Sequence, residues 1–396
     1  MQLKKELLEL TQKHVPYMIK TRRYLHQHPE VSYHEYETTK FIKSELDKMG
    51  IPYDSPLETG CIGILTGAKP SDKVIALRAD IDALPMKEEG DAKAEFFSKN
   101  PGAAHCCGHD AHTSNLLGVA RILLELKEHI AGTVMLVFQP GEEKLPGGGK
   151  LLCETGYLQE KGVDAIYGLH TDPSQEPGKI ATKVGPLMGS PDEFEIEILG
   201  KGGHAARPHE AIDPIVLGAQ FVNAAQTIVS RSVDPTDAAV VTIGKFEGGT
   251  AHNIIPESVR ILGTVRTLSK EVADLIAERL EAILKGITAG AGGSYTFKFS
   301  RGYPVVTNSV EETANILTSM RFLFGDDAAN ELEKPIMAGE DFAFYQEHFP
   351  GAFFFAGSGS PKSDSQYVWH HPKYNVDDEF FEYAAPLMAA LVIGKE

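Results

Sequence analysis

The chain alternates between two hydrophobic rhythms. Residues 3–49 carry apolar positions at helical spacing, interrupted near His28-Pro29, and predict two helices. Residues 74–78, 133–139 and 164–169 are short, nearly continuous apolar runs that predict buried strands, the second ended by Pro140-Gly141. A helical stretch over 112–129 separates the first two runs. Continuous strands divided by helices predict an α/β fold, a mostly parallel sheet with helices on both faces.

From residue 186 the rhythm changes. Over 193–199, Phe194, Ile196 and Ile198 alternate with Glu193, Glu195 and Glu197, the pattern of a half-buried strand. A helix over 212–231, strands at 239–246 and 259–267, a helix from 270 to 287 and a strand at 295–299 complete a β-α-β-β-α-β order, the ferredoxin-like arrangement. The expected organisation is a catalytic domain of 1–185 and 299–396 carrying an inserted α+β domain at 186–298. The return segment predicts a helix near 311–323, a strand at 352–356 and a last helix from Glu379.

The residues after each early strand carry the chemistry. The first runs into Asp80 and Asp82, the second into Glu142-Glu143 and the third into His170. Sites in open α/β sheets form beyond the carboxyl ends of strands. Between the first two lies His105-Cys106-Cys107-Gly108-His109-Asp110-Ala111-His112, five thiol or imidazole side chains and a carboxylate in eight residues. Thiolate with imidazole suits zinc and similar divalent metals. The run opens a helix, so Asp110 is expected as its cap and the helix dipole is expected to lower a thiol pKa. Adjacent glutamates after a strand can divide the work of metal-assisted hydrolysis, Glu142 and Glu143 supplying one ligand and one base. His370 and His371 sit in a late loop suited to closing such a site. Cys107, His109, Glu143, His170 and His370 supply five ligands, enough for two ions.

Bulk properties narrow the field. The formal charge is −17, which argues against nucleic acid and anionic membrane as partners. No apolar run is long enough for a membrane helix, and Met1–Glu6 reads as an amphipathic helix start and not a signal peptide. Four cysteines, two adjacent, make no disulfide framework, and a cytoplasmic location is expected. The chain holds no His-Glu-x-x-His, no deaminase signature, no phosphate-binding loop and no Gly-x-Ser-x-Gly elbow. Cys107 as a nucleophile with His109 as its base is the weaker reading of the cluster.

Several motifs together resemble the M20 metallo-amidohydrolases, the branch of hippurate hydrolases, N-acyl-amino-acid deacylases and indole-acetyl-amino-acid hydrolases. They are Leu25-His26-x-x-Pro29-Glu30, Arg78-Ala79-Asp80-Ile81-Asp82-Ala83-Leu84-Pro85, Cys107-Gly108-His109-Asp110-Ala111-His112, Phe138-Gln139-Pro140-x-Glu142-Glu143, Gly168-Leu169-His170, Gly202-Gly203-His204-Ala205-Ala206, Asn253-Ile254-Ile255-Pro256, Gly263-Thr264-Val265-Arg266 and Gly339-Glu340-Asp341-Phe342-Ala343. The resemblance implies two divalent ions per subunit, zinc, manganese, cobalt or nickel, on Cys107, His109, Glu143, His170 and His370. It implies Glu142 as base, Asp82 orienting a ligand, and His204 polarising the scissile carbonyl from the same subunit or a partner. The inserted domain becomes a lid or dimerisation domain, making a homo-oligomer. The chain departs from the family's pattern at Cys106, where relatives carry a small residue, and at His371, which competes with His370.

The expected activity is hydrolysis of the amide of a small N-acyl amino acid to a carboxylic acid and a free amino acid. Asn253 and Arg266 are candidates to hold the substrate carboxylate. A dipeptidase or carboxypeptidase on the same site is the near alternative. A silent metal-binding protein is the distant one, disfavoured by an intact Glu142.

Overall fold

The apolar runs of the first part lie side by side in one eight-stranded sheet, as strands Lys69–Asp80, Ala131–Gln139 and Ala165–Asp172. They are parallel, and Gly351–Gly357 joins them as a fourth. The flanks are not parallel throughout: Cys61–Thr66 runs antiparallel to Ala131–Gln139, and Ile180–Thr182 antiparallel to Gly351–Gly357. These short flanking strands carry too few residues to show a period, so the sequence pattern did not predict them. The computed structural model describes residues 2–393; Met1, expected to open the first helix, and residues 394–396 lie outside the described residues.

Both faces of the parallel centre are covered. In Gly351–Gly357, Ala352, Phe354 and Ala356 enter the main core, while Phe353 points the other way and meets Phe342 at 5.0 Å between ring centroids. The helices Gln2–Gln27, His109–Glu125 and Phe380–Ile393 pack together over the main-core face. Their approach is close: a Cβ on Gly118 would lie 2.2 Å from the Met18 sulfur. Tyr36–Met49 follows the break at 28–35, as the pattern predicted. None of the described helices is long and apolar enough to cross a membrane.

A second compact unit comprises Met188–Val305 with Pro335–Glu340, and the first comprises Met1–Leu187, Val306–Lys334 and Asp341–Glu396. The second unit therefore runs past residue 298 and takes in a late segment. Ile336 explains that segment, because it bridges to Met188 and accepts the Gly189 N–H at 2.9 Å. The unit's four-stranded antiparallel sheet has the order Ala239–Gly248, Ser258–Thr267, Ser190–Leu199, Ser294–Ser300. Phe194, Ile196 and Ile198 face helices Pro214–Arg231 and Lys270–Ala291, which bury Leu217, Phe221, Ile276 and Leu280 at helical spacing. Asp213 and Ser269 cap these helices through side-chain oxygens. The order is that of a ferredoxin-like domain, as the β-α-β-β-α-β succession of elements suggested.

Candidate metal centre and active site

The parallel strands deliver their ligand-type side chains at one edge of the sheet. Asp80 ends the first strand and Asp82 follows it; Glu142 and Glu143 follow the second; His170 lies inside the third, which extends past Leu169 to Asp172. The His109–Glu125 helix begins at this edge. Its preceding residue, Gly108, has φ 108°, and a Cβ there would lie 2.4 Å from Thr171 Oγ1. Only glycine satisfies both conditions.

Asp110 does not cap the helix, contrary to expectation. It lies in the first turn and accepts from Arg22 Nε at 3.3 Å and His26 Nδ1 at 2.8 Å. Burial opposes its charge, but Arg22 and His26 outweigh burial and hold the carboxyl far below its usual range.

The five expected ligands converge. Cys107 Sγ lies 3.3 Å from His170 Nε2, and His370 Nε2 lies 3.1 Å from Glu143 Oε1. Cys107, His109 and His170 each place a donor atom within 4.8 Å of the others, and Cys107, Glu143 and His370 do the same. The Cys107 thiol is common to both groups. His109, Glu142 and Glu143 form a third group on the same criterion.

The imidazoles are turned for ligation. His109 Nδ1 faces the Asp82 carbonyl at 3.0 Å and Asp82 Oδ1 at 3.2 Å, and His170 Nδ1 faces the Thr171 carbonyl at 2.9 Å. Each Nδ1 therefore donates, which leaves the Nε2 lone pair free. His109 Nε2 is buried with no hydrogen-bond partner among the described residues, and Glu143 Oε1 faces only the His370 and His109 imidazoles, at 3.1 and 3.9 Å. Buried polar atoms without partners are costly and rare. A sulfur, three imidazoles and a carboxylate with lone pairs aimed inward fit divalent cations.

Electrostatics correct the expectation for the thiol. Burial, then Glu143 and Glu142, pushes the Cys107 thiol well above its usual value, so the helix start does not activate it. His109 is raised to about 10: burial opposes, but Asp80 and Asp82 prevail. Burial and the neighbouring His112 depress His170. A divalent cation among these groups would reverse the first two tendencies, favouring thiolate and neutral imidazole.

Other nearby histidines are occupied elsewhere. His112 is spent on Asp80 Oδ1 at 2.6 Å and on the Thr171 N–H at 3.0 Å. His371 turns away from the centre; its Nδ1 accepts from the Lys373 N–H at 3.0 Å and its ring stacks on Tyr367 at 4.7 Å. Nothing in the structure accounts for His105, whose two ring nitrogens are buried without partners.

Sequence reasoning missed Ser32 and Glu35. Ser32 Oγ donates to Asp82 Oδ2 at 2.6 Å, and the Glu143 N–H reaches the same oxygen at 3.0 Å. The buried Glu35 carboxylate accepts from the Gly141 and Tyr33 N–H groups and from Thr59 Oγ1, at 2.8, 2.9 and 2.8 Å. It thereby fixes the turn that carries Glu142-Glu143. Burial, then the Asp82 charge, raises Glu35 to about 7. No spacing rule marks either residue; only their place just after the 25–30 motif hinted at them.

In the second unit, His204 and Asn253 line one groove of about 640 Å³ with Gly202, Gly203 and Gly249. His204 Nδ1 accepts the Ala206 N–H at 3.0 Å, which leaves its proton on Nε2. Arg266 does not line this groove; its guanidinium donates to the Val265 carbonyl at 3.1 Å and to Thr264 Oγ1.

Residues 76–393 match the model of peptidase family M20/M25/M40. The chain is 40% identical to the N-acetylcysteine deacetylase of Bacillus subtilis, over 95% of this chain and 96% of that one. It is 38% identical to thermostable carboxypeptidase 2 of Saccharolobus solfataricus, over 95% of each chain. The crystal structure of the Bacillus subtilis YXEP protein, a dinuclear metal-binding peptidase of the M20 family, superposes with a TM-score of 0.83 at 36% identity, covering 96% of this chain and 98% of that one. With a family model spanning most of its length and relatives matched end to end, the chain belongs to peptidase family M20/M25/M40 and is a metal-dependent amidohydrolase.

Proposed function

We propose that this enzyme hydrolyses the amide bond of small N-acyl amino acids, releasing a carboxylic acid and a free amino acid. The observation that carries the reading is the donor set at the strand ends, two groups sharing Cys107 with Glu142 beside them. Cys107, His109, Glu143, His170 and His370 would hold two divalent ions, of which zinc, manganese, cobalt and nickel suit the donors. When bound, such a pair supplies electrophilic polarisation of the substrate carbonyl and acidifies a water.

The chain's own residues do the rest. Glu142 takes the proton of the attacking water and passes it to the leaving amine nitrogen. Asp82 and the Thr171 carbonyl fix the tautomers of His109 and His170. His204, with its proton on Nε2, donates to the oxyanion that develops on the scissile carbonyl. Asn253 lines the same groove and is the better placed of the two candidates to meet the substrate carboxylate.

The name of the deacetylase relative supports an acyl amino acid as substrate, and that of the carboxypeptidase relative keeps peptides as the second reading. Measured kcat/KM values for acetyl-, benzoyl- and aminoacyl-amino acids separate them. The acyl amino acids are expected to lead by at least about tenfold, and peptides leading by that margin would replace the proposal.

The second unit supports assembly into a homodimer. Ala239–Gly248 is an edge strand, and Val216, Val240 and Phe246 expose apolar surface on it and on the neighbouring helix. Light scattering should give twice the chain mass, and a monomer at micromolar concentration would refute this part.

A further inference from the structure

We infer that Lys93, a residue outside every family motif quoted above, is the positioning residue for His370. The inference rests on the proposed ligand set. His370 needs outside support. It lies in a loop, its side chain is 55% exposed, and its φ is 64°, the left-handed region that disfavours a non-glycine residue. Its own backbone contributes one tether, the His370 N–H to the Cys106 carbonyl at 2.8 Å.

The Trp369 indole donates to the Thr171 carbonyl at 2.8 Å and the Glu89 N–H to the Pro372 carbonyl at 2.8 Å, and two buried cations add to these tethers. Lys93 is 1% exposed and sits in the short helix Asp91–Phe96. Its Nζ lies 3.0 Å from the Pro372 carbonyl, 2.8 Å from the Tyr374 carbonyl and 2.9 Å from Glu88 Oε2. An ammonium has three donors, and three acceptors meet them. Arg22 continues the pattern at the Val376 carbonyl, 2.7 Å away. Carbonyls 372, 374 and 376 alternate along the segment, so one side of it faces Lys93 and Arg22.

Burying a lysine for stability alone is a poor choice, since an apolar side chain of similar size usually does as well or better. What the ammonium adds is register. It fixes residues 372–374 relative to the 88–93 segment, and so fixes where His370 meets Cys107 and Glu143. The Cys107–His109–His170 group takes no ligand from the loop that Lys93 holds, although Lys93 Nζ also lies 4.0 Å from Sγ of Cys106, the chain neighbour of Cys107.

The two metal positions therefore answer differently to Lys93. Lys93→Met keeps the volume and removes the donors. We expect the second equivalent of Mn²⁺ to bind about 10–100-fold more weakly and the first to change by less than about twofold, measured by titration calorimetry with metal content by mass spectrometry. Paramagnetic resonance should change from a coupled pair to an isolated six-line Mn²⁺ signal. His370→Ala should show the same pattern, and adding Lys93→Met to it should remove no more metal. If the single variant does not fold, Lys93→Met with Glu88→Gln leaves no unpaired buried charge and is read the same way. Tight binding of both ions by Lys93→Met, or by that double variant, while His370→Ala loses one, would overturn the inference and leave the ligand set standing. Two ions retained by His370→Ala would remove the ligand set, and the role of Lys93 with it.

Discussion

His109 and His204 are both candidate site histidines, and the protein treats them in opposite ways. His109 is buried, its Nδ1 is fixed by Asp82, and its Nε2 has no hydrogen-bond partner among the described residues. His204 is exposed in a glycine-rich groove, its backbone paired with Ile254 and its ring accepting the Ala206 N–H. One imidazole keeps a lone pair for a cation; the other keeps a proton for an anion. The strand-end imidazole is buried among carboxylate and carbonyl partners, whereas His204 sits on a short two-stranded pairing that lines an open groove.

Breaking the strand-end region should have the largest effect. Cys107→Ala removes the atom common to two ligand groups, so bound metal and hydrolysis should both fall to background, as they should for wild type after exhaustive chelation. Added divalent metal should restore only the wild type. Full turnover in a metal-stripped sample would end the reading.

Breaking the groove should cost less and leave metal in place. His204→Ala should lower kcat by about 10²–10³-fold at unchanged metal content, the usual effect of losing one oxyanion donor. Loss of metal in this variant would place His204 among the ligands instead.

A smaller effect sharpens the groove itself. Asn253→Ala should raise KM for the free-acid substrate by about tenfold, the value of one hydrogen bond, with much less effect on the amidated substrate. Arg266→Ala should change KM by less than about twofold, because Arg266 does not line the groove. The reverse ranking would return the carboxylate contact to Arg266.

The smallest effect concerns the turn that carries the paired glutamates. Glu35 is raised from 4.5 to about 7, so the stability it contributes is full below about pH 4.5 and is lost as pH rises through about 7. Thermal midpoints of metal-free protein should fall across that window by the equivalent of about 1–3 kcal/mol, and Glu35→Gln should flatten the fall. An unchanged slope in the variant would assign the pH dependence elsewhere.

Much of this was legible in the sequence because the decisive features are local. The apolar runs, the alternation of 193–199 and the density of ligands in 105–112 each occupy a few consecutive residues. The corrections arise where distant segments decide. Asp110 looked like a cap from its neighbours, but Arg22 and His26, on a helix far away in sequence, claim it. Cys107 looked activated by its helix, but Glu142 and Glu143 arrive from another strand. Glu35 and Lys93 act by holding backbone groups of other loops, a role that leaves no spacing signature. His371 rivals His370 by its place in the chain, and its stack on Tyr367 comes from packing that the local sequence does not signal.

The central claim is the division of labour between two adjacent carboxylates. Metal content and kcat measured together on Glu142→Gln and Glu143→Gln test it most directly. The account predicts that Glu142→Gln keeps both ions and loses at least about 10²-fold in kcat, while Glu143→Gln loses metal. Metal lost from Glu142→Gln and kept by Glu143→Gln would contradict it.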